Sequence, residues 1–407
     1  MEKCDLIIIG AGISGLSLAH YAARAGLKTL VLEKAEEAGG CLSSHRFEGA
    51  ASGFWLELGA HTCYNSYGNL LGIMEDCKIL DRIIRREKAG FKMLVDNEIR
   101  SIPSQIGFLE LLLSAPRILT LKKEGLSIES YYSKIVGRRN FERVFGPAFN
   151  AVLSQKADDF PAEMLFKKRP RRKDILKSFT LKGGIRTITD SIISQQKFVL
   201  EKGVDVQGVT FDGHVFGVMT ADGKQYESQG LALATPPHVA AKLLQSSFPD
   251  VSSHLAQIKI ESVDTVGVVV KKRVLSVGPL AGIIAVHDSF YSAVSRDTVP
   301  HEHCRGFSFH FKAGRLDHDA KIKRIAEVLR IGNAEIEGVV TKENLVPSLS
   351  VGHDRLTEDT DRFIAGKRLF LTGNYFNGLA IEDCVSRSLS EFTRLKDVFK
   401  ETRQGLS

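Results

Sequence analysis

The sequence predicts an α/β fold: a parallel sheet begun near residue 5 and completed near residue 372, with an α+β region and a helical lobe inserted between. Three observations predict it. The first is Asp5-Leu-Ile-Ile-Ile9, a continuous apolar run of the kind that forms a strand covered on both faces. It enters Gly10-Ala11-Gly12-Ile13-Ser14-Gly15, then a helical pattern up to Gly26 and a second strand, Thr29–Leu32, ending at Glu33. Strand, glycine-rich turn, helix and strand within about 30 residues make a βαβ unit. The second is the stretch 198–234, where short β-rich segments alternate with Asp-Gly turns at 212–213 and 222–223, a hairpin signature. It ends in Leu231-Ala-Leu-Ala-Thr-Pro-Pro237, an apolar strand stopped by two prolines. The third is a last strand, Arg368–Thr372, running into Gly373 and a helix near 381–395.

The remaining elements read more coarsely. Residues 104–132 are helical in character and rich in leucine, Thr265–Val270 reads as a strand, and a helix is predicted near 320–331. The 407 residues carry 43% hydrophobic and 25% charged side chains, an ordinary globular composition split over two or three lobes. A formal net charge of +7 favours anionic ligands or surfaces. The 6 cysteines form no Cys-x-x-Cys pair and no disulfide framework, which fits a reducing compartment. No basic leader with a cleavage site is read, and no apolar run reaches the ~20 residues that cross a membrane. A cytoplasmic location follows as the expectation.

The glycine-rich turn carries the chemistry. Gly10 permits the tight turn, Gly12 lets the backbone approach a pyrophosphate, and Gly15 lets helix pack on strand. Ile13 and Ser14 open the helix, whose free N–H groups and partial positive charge face phosphates. Glu33 is placed to accept hydrogen bonds from a ribose diol and would repel a 2′-phosphate, so NADP is disfavoured. Six residues further on, Gly39-Gly40-Cys41-Leu42 supplies a second glycine pair, for which a nicotinamide enzyme has no need.

This extended pattern resembles the fingerprint of the FAD-dependent amine oxidase superfamily, and its protoporphyrinogen oxidase branch in particular. Phe54-Trp55-Leu56-Glu57-Leu58-Gly59-Ala60 looks like the family's Glu-x-Gly turn beneath the flavin. Phe91 to Pro103 resembles its strand pair running into a proline, and Ser127 to Gly137 with Phe145-Gly-Pro147 its helical segment. Leu181-Lys-Gly183-Gly184, followed by Thr189-Asp190, is similar to its Gly-Gly turn before a helix. The most specific match is Leu371-Thr-Gly373-Asn374-Tyr375-Phe-Asn-Gly378-Leu-Ala380-Ile381-Glu-Asp383-Cys384, which resembles the C-terminal flavin motif of porphyrinogen oxidases rather than the methionine-rich turn of amine oxidases.

The resemblance implies a glutathione-reductase-like FAD domain over 1–75, 183–245 and 355–407. It implies an α+β substrate domain over 76–103, 166–182 and 246–354, and a helical lobe over 104–165. It implies FAD contacts at Gly10, Gly12, Ile13, Ser14, Gly15, Glu33, Lys34, Gly39, Gly40, Cys41, Leu42, Gly59, Ala60, Val204, Gly373, Asn374, Ala380 and Ile381. The implied reaction is oxidation of a porphyrinogen, an anionic tetrapyrrole, with hydride passing to flavin N5 and dioxygen as acceptor, and no particular catalytic base. Phe91 stands where porphyrinogen oxidases commonly place a propionate-binding arginine. Phe91 and Lys92 are therefore read as lining the substrate pocket, although neighbours on a strand face opposite sides. An amine or carotenoid/polyene oxidoreductase, and a flavin-bearing haem-pathway protein without turnover, are the competing readings.

Three further signals have ordinary explanations. Lys167-Lys-Arg-Pro-Arg-Arg-Lys173 reads as a solvated loop rather than a nucleic-acid patch, since no nucleic-acid module accompanies it. His301-x-His303-Cys304 matches no standard zinc spacing and reads as an exposed loop, so no metal is expected. The leucines of Ile106–Leu121 fit either packing inside the lobe or a face laid on a membrane, because an apolar stripe alone does not separate the two.

Overall fold

The computed structural model describes residues 3–404 and shows the predicted α/β fold. The strand Lys3–Ile9 sits inside a seven-stranded sheet, parallel to Thr29–Leu32 on one side and to Gln225–Leu233 on the other. Leu6, Ile7, Ile8 and Ile9 are all buried, because helices or core side chains cover both faces. Val199–Glu201 extends the sheet beyond Thr29–Leu32. The two Asp-Gly turns join Val206–Phe211, Phe216–Thr220 and Gln225–Leu233 as an antiparallel meander, as their pattern demands. Leu369–Leu371 then pairs in parallel with the last residues of Gln225–Leu233. The long C-terminal helix Ile381–Gln404 packs on the first helix, Ile13–Arg24, where Ser388 Oγ donates to the carbonyl of Ser14 at 2.8 Å.

A second seven-stranded sheet runs in the order Ile336–Ser348, Lys259–Lys271, Cys304–Lys312, Phe290–Ser295, Gly282–Ala285, Phe91–Val95, Glu98–Ser101. Strand alternation decides what each face does. Phe307, Phe309 and Phe311 are fully buried and pack with the helix His318–Leu329. Ser308 and His310, between them, point the other way, and Ser308 Oγ donates to the carbonyl of Glu57 at 2.7 Å. The second sheet is thereby docked onto the segment 55–58.

The helical lobe contains Phe108–Ser114, Ile128–Val136 and Gly146–Leu153. Of the leucine-rich stretch, Leu111 and Leu121 pack partly against the core. Phe108, Leu109, Leu112, Leu113, Ile118 and Leu119 remain between 57% and 86% exposed. Interior packing thus accounts for only the smaller part of the stripe. Among the described residues no helix is long and apolar enough to cross a membrane.

The basic run is the expected loop, with Lys168, Arg171 and Lys173 exposed, but three of its other members are engaged in ion pairs. Arg169 forms an ion pair at 2.6 Å with Asp383, which is nearly buried, and Lys167 lies 3.8 Å from the same carboxylate. Arg172 pairs with Glu75 at 2.5 Å and with Asp174. Asp383 is buried at the start of the C-terminal helix, and the run supplies a counter-charge to it.

Candidate functional site

The glycines of the first turn divide their labour sterically. Gly10 has φ +103°, and a Cβ there would stand 2.7 Å from the carbonyl oxygen of Ala234. A Cβ on Gly15 would lie 1.9 Å from the carbonyl oxygen of Gly10, so this helix could not approach its strand with any larger residue. A Cβ on Gly12 would meet, outside its own stretch of chain, nothing nearer than Gly40 Cα at 3.9 Å. Nothing in the protein needs Gly12 to be small; the space beside it is kept for something else.

The second glycine pair lies against that space. Gly12 bridges to Gly39, and the Gly39 N–H donates to the carbonyl of Ala11 at 2.9 Å. The Glu-x-Gly turn docks on the same loop: a Cβ on Gly59 would fall 2.3 Å from the carbonyl oxygen of Cys41, and the Ala60 N–H donates to that carbonyl at 2.9 Å. Glu33 is held by two backbone donors, Ala11 N–H at 2.7 Å and Ala35 N–H at 2.9 Å. The Val204 N–H donates to the Glu33 carbonyl at 2.8 Å, and Lys34 pairs with Asp205 at 3.1 Å. Glu33, Lys34, Gly40 and Cys41 line a cavity of about 1260 Å³, closed opposite by Lys342, whose Nζ donates to the Gly40 carbonyl at 2.5 Å.

The C-terminal motif arrives from the far end of the chain. Gly373 leaves room for the Tyr375 ring, which a Cβ would meet at 2.5 Å. Ala380 and Ile381 lead into the long helix, with the Ala380 N–H donating to Asp383 at 3.3 Å. Glu382 accepts from the N–H groups of Asn69 and Leu70 at 2.9 and 3.1 Å, capping the helix Gly68–Asp76. Ile381 belongs to the same apolar cluster as Ile13, and the helix it opens packs on the helix that Ile13 opens.

A polar group that sequence reading missed lies on the second sheet. Asn344 donates to the Leu58 carbonyl at 2.8 Å and to Thr265 Oγ1 at 2.9 Å, and Thr265 is 3.1 Å from His310 Nδ1. Asn344 lines the large cavity, and its buried Oδ1 accepts no hydrogen bond. Burial pushes His310 down to about 4, so it is a neutral imidazole.

A smaller cavity, of about 30 Å³, is lined by Trp55, Glu57, His61, Arg86, Thr180 and Arg296 among others. Glu57 accepts from Ser44 Oγ at 2.6 Å and from the Ile185 N–H at 3.0 Å, yet burial outweighs both and raises its carboxyl to about 7. Burial likewise pushes His61 down to about 3, with Arg86 adding to the effect. Phe91 and Lys92 line neither cavity. Phe91 is 41% exposed, because it opens its strand and its ring spreads over the partner Gly282, which has no side chain to exclude it. No group of three or more His, Cys, Asp or Glu among the described residues could hold a metal. His301 Nδ1 instead accepts from the N–H groups of His303 and Cys304.

The model of the flavin containing amine oxidoreductase family matches residues 13–391. The chain belongs to that family. Its cofactor is accordingly FAD and its chemistry that of an oxidoreductase. The residues present fit a dinucleotide: the space beside Gly12, the held carboxylate of Glu33 and the size of the cavity all accommodate one.

Curated relatives match over short stretches. A limonene dehydrogenase component from Castellaniella defragrans is 47% identical over 49 residues, 12% of this chain and 9% of that protein. The 15-cis-phytoene desaturase of Arabidopsis thaliana is 37% identical over 86 residues, 21% of this chain and 15% of that protein. A crystal structure from Exiguobacterium sp. 255-15, provisionally assigned as a protoporphyrinogen oxidase, superposes with a TM-score of 0.78 at 16% identity, covering 97% of this chain and 100% of that one. At that identity the likeness is one of fold.

Proposed function

We propose that the protein oxidises an anionic, largely apolar substrate of the porphyrinogen class, with dioxygen as final acceptor. The observation that carries this reading is the sign of charge in the small cavity. Arg86 and Arg296 both line it, and Glu57, pushed toward its neutral form, is the one carboxylate facing them there. An amine cation would be repelled from such a site, whereas a tetrapyrrole carries carboxylates to meet it.

Bound FAD supplies the two-electron acceptor. The chain's own residues hold and orient it: Gly10, Gly12, Ile13, Ser14 and Gly15 at the pyrophosphate, Glu33 at the ribose diol, and Lys34 and Val204 beside it. Gly39 to Leu42 with Gly59 and Ala60 form the next stretch of wall. Gly373, Asn374, Ala380 and Ile381 complete it, with the N-terminus of the last helix favouring negative charge that develops during reduction.

The test is to purify the protein, record its visible spectrum, and follow porphyrin fluorescence from protoporphyrinogen and coproporphyrinogen in air. Growth of fluorescence well above the buffer rate supports the reading; a yellow protein that leaves both untouched refutes it. The matches to limonene and phytoene enzymes favour a second reading, an isoprenoid or polyene oxidoreductase, which predicts flavin bleaching under anaerobic conditions with such a hydrocarbon instead.

The same proposal places the protein in a reducing cytoplasm, on described cysteines that form no disulfide, and at a membrane surface. The exposed apolar side chains of 108–119, with the exposed Arg117 and Lys122 beside them, suit shallow insertion into an acidic bilayer.

A further inference from the structure

The buried arginines of this protein are paired, with one exception among the described residues. Arg305 is held by Asp297 at 2.8 and 2.5 Å and by the carbonyl of Gly278. Arg387 is held by Asp361 and Glu391 and by the carbonyl of Leu371. Arg296 is only 8% exposed, yet among the described residues it makes no ion pair within 4.0 Å. Its Nε and Nη1 are enclosed and bonded to nothing. Burying a guanidinium without acceptors is costly, and proteins retain such groups where a ligand completes them.

The surroundings define that ligand. The guanidinium lies 3.6 Å from the centre of the Trp55 ring and 5.3 Å from that of Phe54. Stacking fixes its plane and leaves its edge, the fork that matches a carboxylate, free to bond. Glu57 does not fill the role: its oxygens accept from Ser44 Oγ and the Ile185 N–H, and it comes no closer than 4.0 Å to the guanidinium nitrogens. Arg86 is committed to Thr62 at 2.5 Å and Thr298 at 3.3 Å. Thr180, on the same wall, has a buried hydroxyl without a partner. At about 30 Å³ the cavity holds roughly two waters, the size of a carboxylate and far short of a ring.

We propose that Arg296, with Thr180, forms an end-on anchor for a single carboxylate at the tip of a substrate side chain. The anchor rests on the anionic-substrate reading and narrows it: the substrate carries a carboxylate on a short arm, and its body stays outside this cavity. The role left vacant by Phe91 falls to a residue far along the chain.

The chain contains one tryptophan, Trp55, and Arg296 stacks on it, so its emission reports on this site alone. FAD-loaded protein titrated with propionate should show a saturable change in that emission; propionamide and equal ionic strength of chloride should not. Arg296→Gln should weaken propionate binding about tenfold or more, Thr180→Val by less, and Arg296→Lys should restore part of it. With coproporphyrinogen, Arg296→Gln should raise KM more than it lowers kcat, and propionate should compete. A response indistinguishable from chloride, or one that survives Arg296→Gln, overturns the anchor. If propionate binds through Arg296 while no porphyrinogen is oxidised, the anchor stands for another carboxylate and the tetrapyrrole reading falls. Retained FAD and an unchanged melting temperature show that each variant is folded; should Arg296→Gln not fold, the propionate titration of the parent and of Thr180→Val decides.

Discussion

The cofactor cradle and the arginine cavity are both small spaces held open by the fold, but they are held open by different means. At Gly12 the opening is an absence: outside its own stretch of chain, no atom of the protein comes nearer than 3.9 Å to where a Cβ would be. At Arg296 it is a surplus, a charge that the protein carries inward and leaves unpaired. The glycines that make the first opening are spaced within one short stretch of sequence, whereas the second is made by segments around 55, 86, 180 and 296 that only the tertiary fold assembles. A space made by missing side chains tolerates no addition; one made around a charge tolerates removal but loses its purpose.

The largest expected effect separates the glycines from one another. Gly15→Val should yield little folded protein, because its Cβ would overlap the Gly10 carbonyl. Gly12→Val should fold, with a near-parental far-UV spectrum, but purify colourless. If both variants bound FAD, or both failed to fold, the division of labour between the two glycines would be wrong.

Next is the pH dependence of Glu57. Burial holds its carboxyl at about 7 in the fold, against 4.5 in the open chain. The native state therefore retains a proton that the unfolded state has released, and stability contributed by this group falls as pH rises from 4.5 to 7. Glu57→Gln should make the apoprotein more stable than the parent at pH 8, by on the order of 3 kcal/mol, with the difference gone below pH 4.5. Chemical denaturation at both pH values checks it; a gap of equal size at both would mean that Glu57 is ionised throughout.

Glu33→Ala should weaken FAD retention about tenfold to a hundredfold, through loss of charge-assisted hydrogen bonds worth roughly 1.5–3 kcal/mol. Because the carboxylate also accepts from Ala11 and Ala35, the apoprotein should lose some stability as well. Unchanged release of FAD by gel filtration would remove Glu33 from the ribose.

How far the sequence could be read follows the same contrast. The βαβ unit, both hairpin turns and the C-terminal motif lie within contiguous stretches, where glycine spacing and apolar periodicity speak directly, and all appear as expected. Arg296 follows Ser295 with no periodic signal, and its meaning depends on Trp55, which lies on another strand. Its one legible trace is an arginine directly after a short strand, Phe290–Ser295. The run 167–173 is the expected solvated loop, but its pairing is out of reach of the sequence for the opposite reason. A string of basic residues around a proline looks solvated in isolation, and nothing local announces that Asp383 waits for Arg169.

The smallest effect belongs to the helical lobe. Leu112→Glu should change stability by no more than about 0.5 kcal/mol, since the side chain is already 72% exposed. It should reduce co-sedimentation with acidic vesicles; undiminished binding would detach this face from the membrane.

The order in which the first sheet is assembled bears on how the protein is made. Its innermost strand, Lys3–Ile9, is made well over 200 residues before its neighbour Gln225–Leu233, and the strand beyond that is Leu369–Leu371. The helix that covers Ile13–Arg24 follows later still. Until those segments are made the nascent chain exposes an apolar strand with an open edge, the situation in which chaperones are most needed. On the proposed site, the wall around the dinucleotide is completed only when Ile381–Gln404 docks, so firm capture of FAD should await that helix.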